Sequence, residues 1–167
     1  MAAGSTYTPI ATTTFGSAAS SYTFSSIPST YTDLTIVVYV PSNSTNDDMF
    51  MQFNSDTATN YSATWLRGNG SAAASIRSSN ITGVRMSDGG SPTTTAASLL
   101  TIQVQNYSNA TTYKTALIRA NNAAGNGLDA FVGLWRSTAA INTIKIYPAS
   151  GSMATGTTMT LYGIAAA

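Results

Sequence analysis

Leu100-Thr101-Ile102-Gln103-Val104-Gln105 is the stretch that decides the fold class of this chain. Leu100, Ile102 and Val104 fall on one side of an extended segment, and Thr101, Gln103 and Gln105 on the other. That two-residue period is the mark of a strand with one buried face. It recurs outward in both directions, whereas helical spacing does not recur. Met49-Phe50-Met51-Gln52-Phe53 groups Met49, Met51 and Phe53; Asn142 to Tyr147 sets Ile144 and Ile146 inward and Lys145 outward; Thr158 to Ile164 reads as a closing strand. Asp33 to Val40 (DLTIVVYV) is apolar on both sides, which predicts a central or doubly covered strand. Weaker strands are predicted at Tyr7 to Phe15, Ser21 to Ile27, Tyr61 to Arg67, Ile81 to Met86, Tyr113 to Asn121 and Ala130 to Arg136.

Turn chemistry separates these segments. Gly68-Asn69-Gly70, Asp88-Gly89-Gly90 with Pro92, and Gly125-Asn126-Gly127 supply residues that tolerate positive φ, and Pro148 to Gly151 and Thr155-Gly156 bracket the last connection. Ala72-Ala73-Ala74 reads as part of a Ser/Gly loop rather than a helical turn. About ten short strands at roughly ten-residue spacing predict an all-β, antiparallel β-sandwich of jelly-roll type. With no linker or shift in composition, residues 1–167 read as a single domain, and 1–15 as a docking arm or edge strand.

Composition excludes several kinds of chemistry. The chain has no Cys and no His, and all six acids are Asp. Disulfides, thiolate nucleophiles and imidazole acid–base catalysis are therefore impossible. Charged residues make up 8% of the chain, against a usual share of about 25%. A net charge of +1, with the seven cations spread along the chain, gives no electrostatic case for nucleic acid. Polarity comes instead from 27 Thr and 22 Ser. Because 43% of residues are hydrophobic and 10% aromatic, this is a folding sequence rather than a disordered Ser/Thr tract. Thr favours strands and has little side-chain entropy to lose in a contact, so the composition suits close packing between subunits. The first residues lack a basic region followed by an apolar run, so no signal peptide is expected, and no apolar run is long enough to span a membrane.

Candidate sites are few. Asp47-Asp48 could hold calcium with nearby carbonyls, but no further ligand can be named, and a solvated loop is the better reading. Asn54-Ser55-Asp56 with Asn60 resembles the start of a calcium loop, yet lacks its glycine and distal Glu; side chains bonded to local backbone amides are favoured. No metal or cofactor is expected. Trp135 shares a strand face with Phe131 and Gly133, where the small Gly133 would admit a large ring, and reads as core. Trp65 precedes a turn and lies near Arg67 and Asn69. These three are the candidates for an interface or for stacking on a glycan, with core or interface favoured for Trp65. Arg119 and Arg136 could pair with Asp129 or Asp33, or anchor an interface. A Ser–Lys dyad would need Lys114 or Lys145, and neither sits in a recognisable motif. The sequons at Asn43, Asn80 and Asn109 arise from composition. An enzyme is not expected.

Three segments, in order, carry a resemblance. They are Ser26-Ile27-Pro28-Ser29-Thr30-Tyr31-Thr32-Asp33-Leu34; Phe53-Asn54-Ser55-Asp56 with Asn60-Tyr61-Ser62; and Gly133-Leu134-Trp135 through Ile144 to Gly151 to Leu161-Tyr162-Gly163-Ile164. Together they resemble a family of small structural proteins of tailed-bacteriophage virions. The resemblance implies a non-catalytic virion component, made in the host cytoplasm. The leading expectation is a capsid decoration (cement) protein that binds the major capsid protein or other virion proteins and self-associates, with a homotrimer expected. The alternatives are a tail or fibre component, or a carbohydrate-binding module that recognises host surface glycans through Trp65. Neither nucleic acid nor membrane is an expected partner.

Overall fold

A computed structural model describes residues 6–125 and 127–165. Asn126, one of the expected turn residues, and the first five residues of the expected docking arm lie outside the described residues. The architecture is an all-β, antiparallel β-sandwich of jelly-roll type in a single domain. Its strands are β1 (Tyr7–Thr14), β2 (Tyr22–Phe24), β3 (Asp33–Val40), β4 (Met49–Phe53), β5 (Tyr61–Gly68), β6 (Ala73–Ile81), β7 (Val84–Arg85), β8 (Ser98–Gln105), β9 (Lys114–Asn122), β10 (Leu128–Trp135), β11 (Ile144–Pro148) and β12 (Thr158–Ile164). Eight strands form one sheet in the order β1-β12-β3-β8-β9-β10-β5-β6, and four form the other in the order β2-β11-β4-β7.

Leu100, Ile102 and Val104 of β8 are fully buried, as their alternation requires. They join Leu34, Ile36 and Val38 of β3 and Met159 and Leu161 of β12 on the inner face of the large sheet. Met49, Met51, Ile144 and Ile146 cover them from the small sheet. β3 is central, between β12 and β8, and its outer face is only partly covered: Thr35 is buried there, Val37 half-buried and Tyr39 exposed.

Two expectations fail locally. The Ser/Gly loop around Ala72-Ala73-Ala74 is instead the start of β6, a nine-residue edge strand paired with β5. Its inward positions Ala74, Ile76 and Ser78 are too small and mixed to carry an apolar alternation. The strand expected over Ile81 to Met86 shrinks to Val84–Arg85, because Asn80 adopts a φ of 56° and the chain crosses there to the other sheet. At the N-terminus, Tyr7–Thr14 is the edge strand β1, bonded to β12 and bulged after Pro9, as suits a proline at a sheet edge.

Candidate functional site

The polar residues collect at one end of the sandwich. Asp129 of β10 is completely buried, and its carboxylate accepts the backbone N–H groups of Asp88 (2.8 Å), Gly89 (3.2 Å) and Gly90 (2.7 Å). One anion thus ties down the loop after β7, whose glycines leave room for that approach: a Cβ on Gly90 would sit 2.8 Å from the Ala120 backbone. Asp88, so placed, accepts the Trp65 indole N–H at 2.8 Å and the Arg67 guanidinium at 3.0 Å. Arg85 donates to Asp48, lies 3.6 Å from Asp88, and stacks over the Trp65 ring at 4.8 Å. Ser91 donates to the second oxygen of Asp48 at 2.8 Å. Burial pushes the Asp48 carboxyl above its ordinary value, against the pull of Ser91 and Arg85.

This arrangement relocates the residues singled out in the sequence. Trp65 is 2% exposed and stacks on Phe131 at 5.2 Å, so its rings are closed to any sugar; the core reading stands and the platform reading is corrected. Arg67 is exposed beside it, engaged with Asp88. Asn69 caps its own turn, its side-chain oxygen accepting from the backbone of Ser71 and Ala72. Asp47 accepts from Ser150 at 2.7 Å and from the Asp48 backbone. Arg136 donates to the Thr59 carbonyl and the Asn80 side chain rather than to an Asp, and Asp33 accepts the Asn106 backbone N–H. Lys114 is buried against the carbonyls of Thr112 (2.6 Å) and Thr138 (3.1 Å), and this burial lowers its pKa. Lys145 lies 5.0 Å over the Tyr147 ring.

At the opposite end, Asp56 accepts from the Trp135 indole (2.7 Å), Asn60 (3.0 Å) and the Ala58 backbone (2.9 Å). Slight burial pushes the Asp56 carboxyl upward, but those three hydrogen bonds outweigh it and hold the group below its ordinary value. Asn54 reaches further than expected, accepting from the backbone of Asn142 and Thr143 and donating to the Ala140 carbonyl.

A further hollow lies elsewhere, on the outer face of the eight-stranded sheet. Its volume is about 480 Å³, and it is lined across β8, β9, β10 and β5. Leu66 (62% exposed), Val132 (49%) and Leu117 (41%) form its apolar bed, with Ala130 and Thr64 between them. Arg119 stands at its side and makes no hydrogen bond or ion pair among the described residues. The sequence reading missed this face. Its readable signal was strands apolar at both parities: Leu117 beside Ile118, and Phe131 beside Val132.

No protein-family model matches the chain, and no curated protein matches it. Among solved structures, an exo-inulinase from Aspergillus awamori is similar at 12% identity over 95% of this chain, with a TM-score of 0.42. The chain spans 29% of that enzyme's length. An alginate lyase in complex with alginate trisaccharide is similar at 9% identity and a TM-score of 0.36, over 92% of this chain and 80% of its own. Mouse laminin α1 domains LG4-5 are similar at 14% identity and a TM-score of 0.32, over 89% of this chain and 40% of their own.

Proposed function

We propose that this chain is a non-catalytic structural component of a tailed-phage particle, and specifically a decoration (cement) protein that binds the shell. The observation that carries the reading is the uncovered aliphatic face of Leu66, Leu117 and Val132 on a rigid sheet. Contiguous apolar surface of that kind is costly to expose and marks a contact site. The chemistry of the remaining side chains agrees with a contact role. The chain contains no imidazole or thiol, and Asp48, Asp56, Asp88 and Asp129 are all spent on internal donors. The aliphatic bed also favours protein over sugar as the partner, since sugars are gripped on exposed aromatic faces; here Tyr7, Tyr39 and Tyr113 are dispersed over separate strands and loops.

On a lattice, many weak copies of one contact add up through multivalency. Self-association as a trimer belongs to the same proposal and would use surfaces other than this face, such as the open edges of β1 and β6. The test is the copy number of the chain in purified particles, by quantitative mass spectrometry, together with its position in electron-microscopy density. A decoration protein gives copies on the order of hundreds, on the shell. A count of tens or fewer, at the tail, replaces this reading with a tail or fibre role. Absence from particles overturns it.

A further inference from the structure

The partner of the outer face can be specified further by its charges; this inference rests on the contact role proposed above. The outward side chains of β8, β9, β10, β5 and β6 include two cations, Arg119 and Arg77, and no carboxylate. Every other cation of the chain is engaged: Arg67 and Arg85 with Asp88 and Asp48, Arg136 and Lys114 with carbonyls, Lys145 over a tyrosine ring. Arg119 and Arg77 alone make no hydrogen bond, ion pair or ring contact among the described residues, and both stand on this face.

The register fixes their relation to the hollow. Arg119 is directly across from Ala130, which pairs with Leu66; one step along the strands, Leu117 is across from Val132, which pairs with Thr64, and Thr64 with Arg77. The two guanidiniums therefore flank the aliphatic bed at opposite corners. Three inter-strand spacings and one step along the strands put their Cα atoms on the order of 15 Å apart. A second copy laid face to face would add two more cations and no anion to this surface, so like charges disfavour it. A carboxylate on each side of an apolar segment satisfies both arginines, through the forked geometry that arginine offers.

We propose that this face docks a segment of another protein that presents aliphatic side chains flanked by carboxylates, the aliphatic groups seated on Leu66, Leu117 and Val132 and the carboxylates paired with Arg119 and Arg77. The aliphatic lining favours such a peptide over an acidic polysaccharide, which would leave that bed without an apolar partner.

The test is a nuclear magnetic resonance titration of the full chain with three probes: the capped peptide Asp-Ala-Leu-Ala-Val-Ala-Asp, its counterpart with Lys at both ends, and an oligo-uronate. Extended, this heptapeptide puts both carboxylates and the Leu and Val side chains on one face, with the carboxylates about 20 Å apart, a span that the two long arginine side chains can reach. The expected result is saturable binding of the Asp peptide, with shifts confined to β9, β10, β5 and β6, and at least about tenfold weaker binding of the Lys peptide. Arg119→Gln and Arg77→Gln should each weaken the Asp peptide by about three- to tenfold, and added salt should do the same. Leu117→Ser, an outward position that leaves the core intact, should also weaken it while the melting temperature holds. Equal binding of the two peptides, no binding, tighter binding of the oligo-uronate, or self-association abolished by Leu117→Ser would each overturn the proposal. Because particle copy number is measured separately, failure here leaves the virion reading standing, and the reverse also holds.

Discussion

A single residue's role in this fold depends on what meets it across the sandwich. Trp65 shows how much of that is legible in sequence. It shares its parity with Tyr61 and Ala63, which places it inward, but its acceptor Asp88 lies 23 residues away and its stacking cation Arg85 on a strand of the other sheet. Parity can be read from a sequence; a partner brought in by a crossover cannot. Asp56 is similar, with the Trp135 indole arriving from 79 residues away. It also yields a pH prediction. Its folded-state pKa lies below its ordinary value of 3.8, so its stabilisation is complete above that value and is lost as pH falls through the folded one. Asp56→Asn, which misplaces acceptors for three donors, should cost about 1–3 kcal/mol at pH 7 in urea unfolding. The gap from the parent should narrow by pH 3; a gap independent of pH would show that the carboxylate's charge does not matter.

Among the elements, strands with strong alternation, such as β8, β4 and β12, and the continuous apolar run of β3 were legible to within a residue or two. β6 was not, because an edge strand of Ala, Ser and Ile buries too little to leave a pattern. The outer apolar face was hidden for a related reason: a sequence shows that β9 and β10 are apolar at both parities, but not that the second parity goes uncovered. Contact between elements also corrects one expectation. Gly133 on β10 makes room not for an aromatic ring but for Val84 of β7, whose Cγ1 lies 2.3 Å from where a Cβ would stand. Gly133→Ala should therefore destabilise by about 1–3 kcal/mol through overpacking. Val84→Ala alone should cost about 2 kcal/mol by leaving a cavity. The double variant should be more stable than the sum of the two losses implies, since each change relieves the other. Strict additivity in denaturant unfolding would mean that the two strands do not press on each other at this point.

The whole molecule should respond to alkali more sharply than to neutral pH, because no side chain has an ordinary pKa between those of its carboxyls and its phenols and amines. Burial raises the pKa of Tyr61, Tyr107 and Tyr147 above the ordinary 10.0. The unfolded chain ionises these phenols first, so their stabilisation is complete below pH 10.0 and is lost as pH climbs through the folded values. Lys114, lowered by burial, works in the opposite sense, its penalty relieved as pH rises towards its ordinary 10.5 where the tyrosines begin to act, and a Lys114→Met background isolates the tyrosines. In that background the melting temperature should fall steadily above pH 10; a flat profile to pH 11 would mean that the phenols are not held protonated. One feature of the topology reaches beyond stability, into how the protein is made. β12 is the last of the described strands to leave the ribosome, yet it sits between β1 and β3 and supplies both with hydrogen-bonding partners. Until it emerges, β1 has nowhere to dock and β3 carries an open edge, so the large sheet closes only after synthesis has passed Ile164. A nascent chain of this design exposes both margins until β12 is made, and a stop before β12 leaves the inner edges of β1 and β3 unpaired where the folded sheet has them bonded.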